Sequence, residues 1–176
     1  MNRQKTNPKI KLRQATIDDL ELLQYWDKQQ HIIDSDPDDD WNWAIELERS
    51  PDWREQLVAE INTRAIGFIQ IIDPAREETH YWGTVPKNRR AIDIWIGEKQ
   101  NLSKGYGTEI MTQAIQRCFK HAEVNTIWTD PLESNTAAIR FYKKLGFQFV
   151  ELRKFGSSMC AVHQLTRSEW KKSIDL

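Results

Sequence analysis

The sequence contains few cysteines and no long apolar run, and each absence excludes a class of protein. Cys118 and Cys160 are the only cysteines, which is too few for a disulfide framework. No apolar stretch approaches the roughly 20 residues that a membrane-spanning helix requires. The opening segment, MNRQKTNPKIK, is polar and lacks the apolar core of a signal peptide. These features predict a cytoplasmic protein with reduced thiols and no membrane partner.

Repeats, low-complexity tracts and long linkers are also missing from the 176 residues. A chain of this length suits one domain with a sizeable core and is short for two. We therefore expect a single domain spanning residues 1–176. The four histidines show neither an HExxH motif nor paired spacing, so we expect no metal centre.

The net charge of −1 gives no argument for a nucleic-acid partner, but the charges are unevenly distributed. Residues 31–80 hold 13 Asp and Glu against 4 Arg and Lys, whereas residues 81–121 hold 7 basic and 3 acidic residues. The first sector therefore suits a cation and the second an anion. The basic run KNRR within the second sector is too short to indicate nucleic-acid binding.

The densest charge lies in DSDPDDD, where residues 34–40 include five carboxylates. One interpretation is structural, because acidic side chains are favoured at a helix N-terminus and Pro37 is a turn residue. The other is that these carboxylates, together with nearby aromatic rings, bind a cationic substrate. We expect one or two of the five to contact substrate. Asp34 and Asp36 are the candidates because they precede the capping turn, and Trp82 in a later loop is a third.

The hydrophobic pattern predicts a mixed α/β sheet with helices on both faces. Alternating or apolar runs predict strands at residues 10–15, 56–61, 65–72, 91–97, 126–131, 147–155 and 159–166. Helices are predicted after a Thr16–Asp19 capping box, within WNWAIELER, behind KGYGT, and in SNTAAIRFYKK. The last helix would be capped by Ser134 and would end at Gly146.

The segment KGYGT, between a predicted strand and an amphipathic helix, is typical of phosphate binding. Gly105 and Gly107 let the backbone turn tightly, so that several N–H groups converge at the positive end of the helix dipole. Lys104 adds a full positive charge. The alternative is that the two glycines only satisfy the steric needs of a strand-to-helix turn. Neither GxxxxGK[ST] nor GxGxxG is present.

The segments LSKGYGTEIM and WTDPLESNTAAIRFYKKLGF together resemble the GNAT superfamily of N-acetyltransferases. Gly105 and Gly107 match the glycines of the family's acetyl-coenzyme A signature, Q/R-x-x-G-x-G/A. Leu102 stands where Gln or Arg is usual, and Ser103 replaces a common glycine. The resemblance covers residues 10 to about 166. It implies an α/β (α+β) GNAT fold with a mixed, mostly antiparallel sheet that splays at the cofactor site.

The resemblance also implies acetyl-coenzyme A as cosubstrate. Backbone N–H groups of the splayed strand would pair with its pantetheine and acetyl oxygen. The implied cofactor-binding residues are Trp95, Ile96, Lys104, Gly105, Tyr106, Gly107, Thr108 and Asn135.

Within the superfamily the chain is similar to aminoglycoside 6′-N-acetyltransferases, through QQHIID, HYW, RRAIDIWIG and TDPLESNTAAIRFY. Similar segments occur in ribosomal-protein and siderophore-lysine acyltransferases, so those acceptors remain alternatives. A coenzyme A-binding sensor without turnover is a third, although the presence of Asp93, Tyr142 and Asn135 together argues against it. We expect a small-molecule polyamine or aminoglycoside acceptor and a monomer or homodimer.

By the same resemblance, Asp93 and Tyr142 are the candidate catalytic residues, and no covalent intermediate is required. Asp93 would bind the acceptor ammonium and accept its proton, although a carboxyl with a pKa of about 4 is a weak base unless burial raises it. Its alternative is an ion pair with Arg89 or Arg90. Tyr142 would protonate the leaving thiolate, or is a core tyrosine. Asp130 would bind a second acceptor amine, or cap a turn.

Overall fold

The computed structural model describes residues 9–38 and 40–174, so the expectations for Asp39 and for the first eight residues lie outside the described part. Within these ranges the sheet has seven strands in the order β1-β2-β3-β4-β5-β7-β6. The strands are β1 (Lys11–Gln14), β2 (Arg54–Ile61), β3 (Arg64–Ile72), β4 (Arg89–Ile96), β5 (Thr126–Thr129), β6 (Gln148–Phe155) and β7 (Ser158–Thr166). The helices are α1 (Leu20–Trp26), α2 (Gln30–Ile33), α3 (Trp43–Glu48), α4 (Tyr106–Phe119), α5 (Thr136–Lys144) and α6 (Arg167–Ile174).

Two hydrophobic layers sandwich the sheet, which confirms the predicted arrangement of helices on both faces. The apolar stripe of α4 is buried against one face, together with α5, in the main core cluster. Leu23 and Trp26 of α1 and Trp43 of α3 pack with Phe68 against the other face. All six stripe residues predicted for α4 are buried: Ile110, Met111, Ala114, Ile115, Cys118 and Phe119.

The sheet opens between β4 and β5, as the resemblance implied. These two strands pair in parallel only from Arg89 to Ala91, whereas β4 continues to pair with β3 as far as Ile96. Since β5 ends at Thr129, the rest of β4 has a backbone edge that β5 does not cover. The splay therefore leaves strand amides free on one side.

The alternation of residues along β4 determines which of its amides face the opening. Gly97 donates its N–H to the carbonyl of Ile66 in β3 at 3.0 Å, so its amide points away from the opening. Successive residues of a strand point their backbone groups in opposite directions. The amides of Ile94 and Ile96 consequently face the opening, and the amide of Trp95 faces β3.

The predicted cap of α5 was wrong by one residue. Asn135, not Ser134, is the N-cap, and its Oδ1 accepts a hydrogen bond from the Ala138 N–H at 3.0 Å. Ser134 lies inside the tight turn closed by the Asn135 N–H and the Leu132 carbonyl, one position too early to reach the helix. Gly146 ends the helix with φ 94°, as predicted.

Candidate active site

A cavity of about 920 Å³ passes through the opening between β4 and β5. Asp93 on one face of the sheet and Tyr142 from α5 on the other both line it. Its carboxylates are Asp27, Asp36, Asp38, Asp40, Glu46, Glu77, Glu78, Asp93 and Asp130, and its aromatic residues are Trp41, Trp53, Tyr81, Trp82, Trp95, Tyr142 and Phe155. The lining is therefore strongly acidic and rich in aromatic rings.

Two arginines also line the cavity, but nearby acids already pair with them. Arg54 bonds the carboxylate of Glu46, and Arg49 reaches Glu78 at 2.6 Å. These ion pairs leave most of the carboxylates in the lining without an ion-pair partner in the described part of the chain.

Asp93 lies half-buried on β4 and forms no ion pair with an arginine of residues 9–38 and 40–174. Arg90 instead bonds Asp73 at 3.4 Å, and the guanidinium of Arg89 stacks on Trp128 with its carbon 4.6 Å from the ring centroid. Desolvation, reinforced by the charge of Asp130, raises the pKa of Asp93 to about 7. The structure does not show the alternative, an ion pair of Asp93 with Arg89 or Arg90. A carboxyl with this pKa can exchange a proton near neutral pH.

Asp130 follows the end of β5 and faces the same cavity. Its Oδ2 accepts a hydrogen bond from the Tyr81 hydroxyl at 2.8 Å. Burial raises the pKa of Asp130 to about 6, while the Tyr81 bond acts in the opposite direction. The charge of Asp36 raises the pKa of both Asp93 and Asp130. Three carboxylates thus share one electrostatic environment.

Tyr142 is buried in α5 between Phe141 and Phe147, with ring centroids 5.2 and 5.6 Å away. Burial, followed by the charges of Asp93 and Asp130, raises the pKa of its phenol well above the ordinary value. The side chain is therefore protonated at neutral pH and can serve as a proton donor to an anion in the cavity.

The glycine turn has the geometry expected of an anion-binding site. Gly105 has φ 84° and is the N-cap of α4, a helix of 14 residues. A Cβ at Gly105 would meet no atom of the described residues within 4 Å, so none of them fills the space above the turn. Ser103 also adopts a left-handed φ of 60°, and the Lys104 ammonium lies 3.5 Å from Oδ1 of Asn101.

The described carboxylates of residues 34–40, which we call the acidic loop, contribute unequally to the cavity. Asp36 lines it, whereas Asp34 lies outside the lining and its Oδ1 accepts a bond from Nε2 of Gln30 at 2.7 Å. Asp38 accepts hydrogen bonds from the hydroxyls of Ser157, in the β6–β7 turn, and of Ser158, the first residue of β7. The loop is thereby joined to the β6–β7 hairpin, whose turn also lines the cavity.

Trp82 contributes to the cavity wall while being almost fully buried. Its ring packs 5.0 Å from those of Trp128 and Phe155, and Arg153 stacks over it at 5.8 Å. It therefore presents only a small part of its ring to the cavity.

Sequence reasoning missed two polar contacts with the site. His31 donates from Nε2 to the Ile96 carbonyl at 2.8 Å, at the uncovered edge of β4. Gln70 donates from Nε2 to Oδ2 of Asp93 at 3.2 Å. For Gln70 the available signal was a polar residue inside the apolar run AIGFIQII.

Neither a metal cluster nor a membrane-spanning helix is found in the described part of the chain. No three His, Cys, Asp or Glu side chains of residues 9–38 and 40–174 are grouped so as to hold a metal ion. None of the helices in these ranges is both long and apolar enough to cross a bilayer.

A family model and several known proteins are similar to this chain in sequence. A family model described as an acetyltransferase (GNAT) domain matches residues 16–155. Aminoglycoside N(6′)-acetyltransferase type 1 of Klebsiella pneumoniae is 30% identical over 159 residues, covering 81% of this chain and 76% of that protein. A kanamycin resistance protein of Rhizobium radiobacter is 41% identical over 59 residues, covering 34% of this chain and 55% of that protein.

Solved structures show the same fold. Aminoglycoside acetyltransferase AAC(6′)-Ib in complex with coenzyme A and kanamycin superposes with a TM-score of 0.84 at 24% identity, covering 94% of this chain and 99% of that one. An uncharacterized protein from Bacillus halodurans has a TM-score of 0.84 at 20% identity, over 94% and 88% of the two chains.

Proposed function

Because the chain belongs to the GNAT family of acetyltransferases, it is an acetyl-coenzyme A-dependent N-acetyltransferase, and we propose that its acceptor is an amine of an aminoglycoside-like polycation. The observation that carries this proposal is the pair Asp93 and Asp130. Both carboxyls line one cavity, and neither forms an ion pair with an Arg, Lys or His among the described residues.

The electrostatics of the cavity favour an acceptor with several positive charges. Carboxylates withdrawn from water without a partner are costly, and a bound ammonium would compensate them. The raised pKa of Asp93 and of Asp130 both report this unmet charge. Aromatic walls add cation–π attraction and flat surfaces for sugar rings. An aminoglycoside, with several ammonium groups on a rigid sugar frame, matches both properties.

The relatives point to the same acceptor class. The Klebsiella protein that is 30% identical is named for acetylation at the 6′ nitrogen of aminoglycosides. We carry over that acceptor, and with it a role in aminoglycoside resistance, as part of the proposal.

The residues around the glycine turn fit acetyl-coenzyme A, which when bound supplies the acetyl thioester. The amides at the N-terminus of α4, from Gly105 to Thr108, would bind its diphosphate together with the Lys104 ammonium. At the uncovered edge of β4, the amides of Ile94 and Ile96 are available, and Trp95 would contribute its side chain rather than its amide. Asn135 uses its Oδ1 to cap α5, which leaves its NH₂ group free to donate.

Two side chains of the cavity would each carry out one of the two proton transfers of the reaction. Asp93 binds the acceptor ammonium, orients it and accepts its proton, for which a pKa near neutrality is suitable. Tyr142 holds a proton ready for the departing sulfur. Asp130 and Asp36 bind further ammonium groups, and Trp82 contributes to the wall. Binding of the acceptor by Asp34 stays a prediction. Asp34 lies outside the cavity lining, so the structure supports this role less than those of Asp36 and Asp130.

A cytoplasmic location is a further part of the proposal. It is supported by Cys118 and Cys160, which are both free and buried, as is usual for thiols kept reduced. The expectation of a monomer or homodimer stays a prediction.

A thiol-release assay with acetyl-coenzyme A tests the proposed acceptor. Kanamycin, spermidine and a lysine-rich peptide are compared as acceptors at equal amine concentration. The variant Asp93→Asn is assayed beside the unmodified protein, because it removes the charge of Asp93 and keeps a side chain of similar size. We expect kanamycin to give the highest kcat/KM and Asp93→Asn to reduce it at least tenfold. Turnover of the peptide with none of kanamycin would overturn the acceptor assignment.

A further inference from the structure

Three polar side chains form a row across the centre of the sheet, on the face that carries Asp93. Gln56 of β2, Gln70 of β3 and Asp93 of β4 are direct cross-strand partners. Directly paired residues project from the same face of a sheet with their Cβ atoms about 5 Å apart. The row therefore crosses three neighbouring strands on one face of the sheet and ends at the Asp93 carboxyl, which lines the cavity.

The two glutamines are unusual for their surroundings. Gln56 and Gln70 are only 4% and 5% exposed, and Val58 and Phe68, two positions away on the same strands and the same face, belong to the core. A buried amide is tolerated only when its polar atoms are hydrogen-bonded. A leucine of similar size at either position would pack without that requirement.

The hydrogen bonds of the row all run in one direction. Nε2 of Gln56 donates to Oε1 of Gln70 at 3.2 Å, and Nε2 of Gln70 donates to Oδ2 of Asp93 at 3.2 Å. Gln56 thus fixes which end of the Gln70 amide faces the cavity. If the Gln70 amide flipped, its oxygen would face the Asp93 carboxylate and repel it.

We propose that Gln70 is a positioning residue for the reaction, holding Asp93 by a directed N–H donor, and that Gln56 acts only through Gln70 by locking the orientation of its amide. This inference rests on the proposed role of Asp93. It adds a specific task for two buried residues, of which Gln70 lines the cavity and Gln56 does not.

Other groups also act on Asp93 and must be separated from Gln70. Asp130 at the end of β5 and Asp36 of the acidic loop raise its pKa by their charge. Tyr81, from the loop between β3 and β4, and Tyr142, from α5, also face Asp93. Both phenols are neutral at the pH of the assay. The Gln70 bond opposes the two carboxylates, because it stabilises the ionised form of Asp93.

The test measures the titration of Asp93 directly. Protein with ¹³C-labelled aspartate is titrated without substrate, and the Asp93 carboxyl resonance is assigned with Asp93→Asn. In Gln70→Leu the donor to the carboxylate is lost, so we expect the midpoint to rise by about one pH unit. The acid limb of the pH profile of kcat/KM should also shift to higher pH. The same acceptor is used for every variant, so that the ionisation of the acceptor cancels in the comparison.

The role assigned to Gln56 predicts non-additivity. Gln56→Leu alone should raise the midpoint by less than Gln70→Leu does, since the Gln70 amide can then flip. Gln56→Leu added to Gln70→Leu should change nothing further. The double variant also removes both buried amides together, which protects folding if one unpaired amide is destabilising.

Gln113→Leu is the matched control. Gln113 is a half-buried glutamine whose Nε2 donates to the Ile10 carbonyl at 3.0 Å, on α4 and away from the row. Its loss lowers thermal stability without moving the Asp93 midpoint. An unchanged midpoint in Gln70→Leu overturns the inference. Full activity of Asp93→Asn would instead overturn the proposed role of Asp93, and the resonance would still show whether Gln70 acts on it.

Discussion

The hydroxyl of Tyr81 donates a 2.8 Å hydrogen bond to Oδ2 of Asp130, joining two residues that are 49 positions apart in the chain. The Tyr81 ring stacks on Phe155 at 4.4 Å with an interplanar angle of 7°, so the hydroxyl is held in place by packing. The backbone before it is fixed by Glu77, whose Oε2 accepts the Tyr81 N–H at 3.0 Å. Tyr81 therefore orients Asp130 and stabilises its ionised form.

Replacing Tyr81 by Phe should raise the KM for the acceptor about tenfold, a typical cost for losing a hydrogen bond to a charged group. The pKa of Asp130, about 6 in the intact protein, rises when this donor is lost, so less of the carboxylate is ionised near neutrality. The defect should be largest near pH 6 to 7 and should shrink at higher pH. Initial rates across this range, as a ratio to the unmodified enzyme, provide the measurement.

Tyr25→Phe is the control, because Tyr25 is 48% exposed on α1 and does not line the cavity. A Tyr81→Phe defect that is equal at all pH values would argue against an effect through Asp130.

Replacing Tyr142 by Phe should lower kcat about tenfold or more and leave the KM for acetyl-coenzyme A little changed. The substitution removes the proposed proton donor to the departing sulfur but keeps the ring between Phe141 and Phe147. Steady-state kinetics together with a melting curve provide the measurement. An unaltered kcat with an unaltered melting temperature would remove Tyr142 from the mechanism.

Gly105 and Gly107 should respond differently to alanine. At Gly105 the φ of 84° is left-handed, and an L residue there costs about 1 to 2 kcal/mol. At Gly107, inside α4, a Cβ would lie 3.5 Å from the Phe141 ring of α5, which is an ordinary van der Waals contact. We expect Gly105→Ala to lower the melting temperature by about 2 to 8 °C and Gly107→Ala to leave it unchanged or higher.

Calorimetric titration with coenzyme A completes this comparison. If the diphosphate approaches the turn closely, the added methyl groups should weaken binding in both variants. If Gly105→Ala kept full affinity for coenzyme A and full thermal stability, neither the left-handed conformation nor the open space at Gly105 would be required.

The strands and the longer helices could be predicted from the sequence because periodicity encodes burial. The stripe from Ile110 to Phe119 identified the buried side of α4, and the apolar run of β4 identified a central strand. Helix caps were less certain, because Ser134 and Asn135 have nearly equal capping preferences and only the preceding turn decides between them. Helix α6, which begins at Arg167, was missed because it carries few apolar residues.

The contacts that organise the candidate site could not be predicted, because they depend on register and on the fold of long loops. Gln70 meets Asp93 only because β3 and β4 pair in one register, and a shift by one residue would turn them to opposite faces. Tyr81 reaches Asp130 through the path of a loop between β3 and β4. The sequence indicated the residue types, whereas their pairing required the three-dimensional structure.

A crystal structure of the protein with coenzyme A and kanamycin tests the central claim most directly. We expect the diphosphate at the amides of the Gly105 turn, and an aminoglycoside amine within hydrogen-bond distance of Asp93, with further amines near Asp130 and Asp36. Coenzyme A bound away from the glycine turn, or kanamycin bound outside the acidic cavity at saturating concentration, would contradict this account.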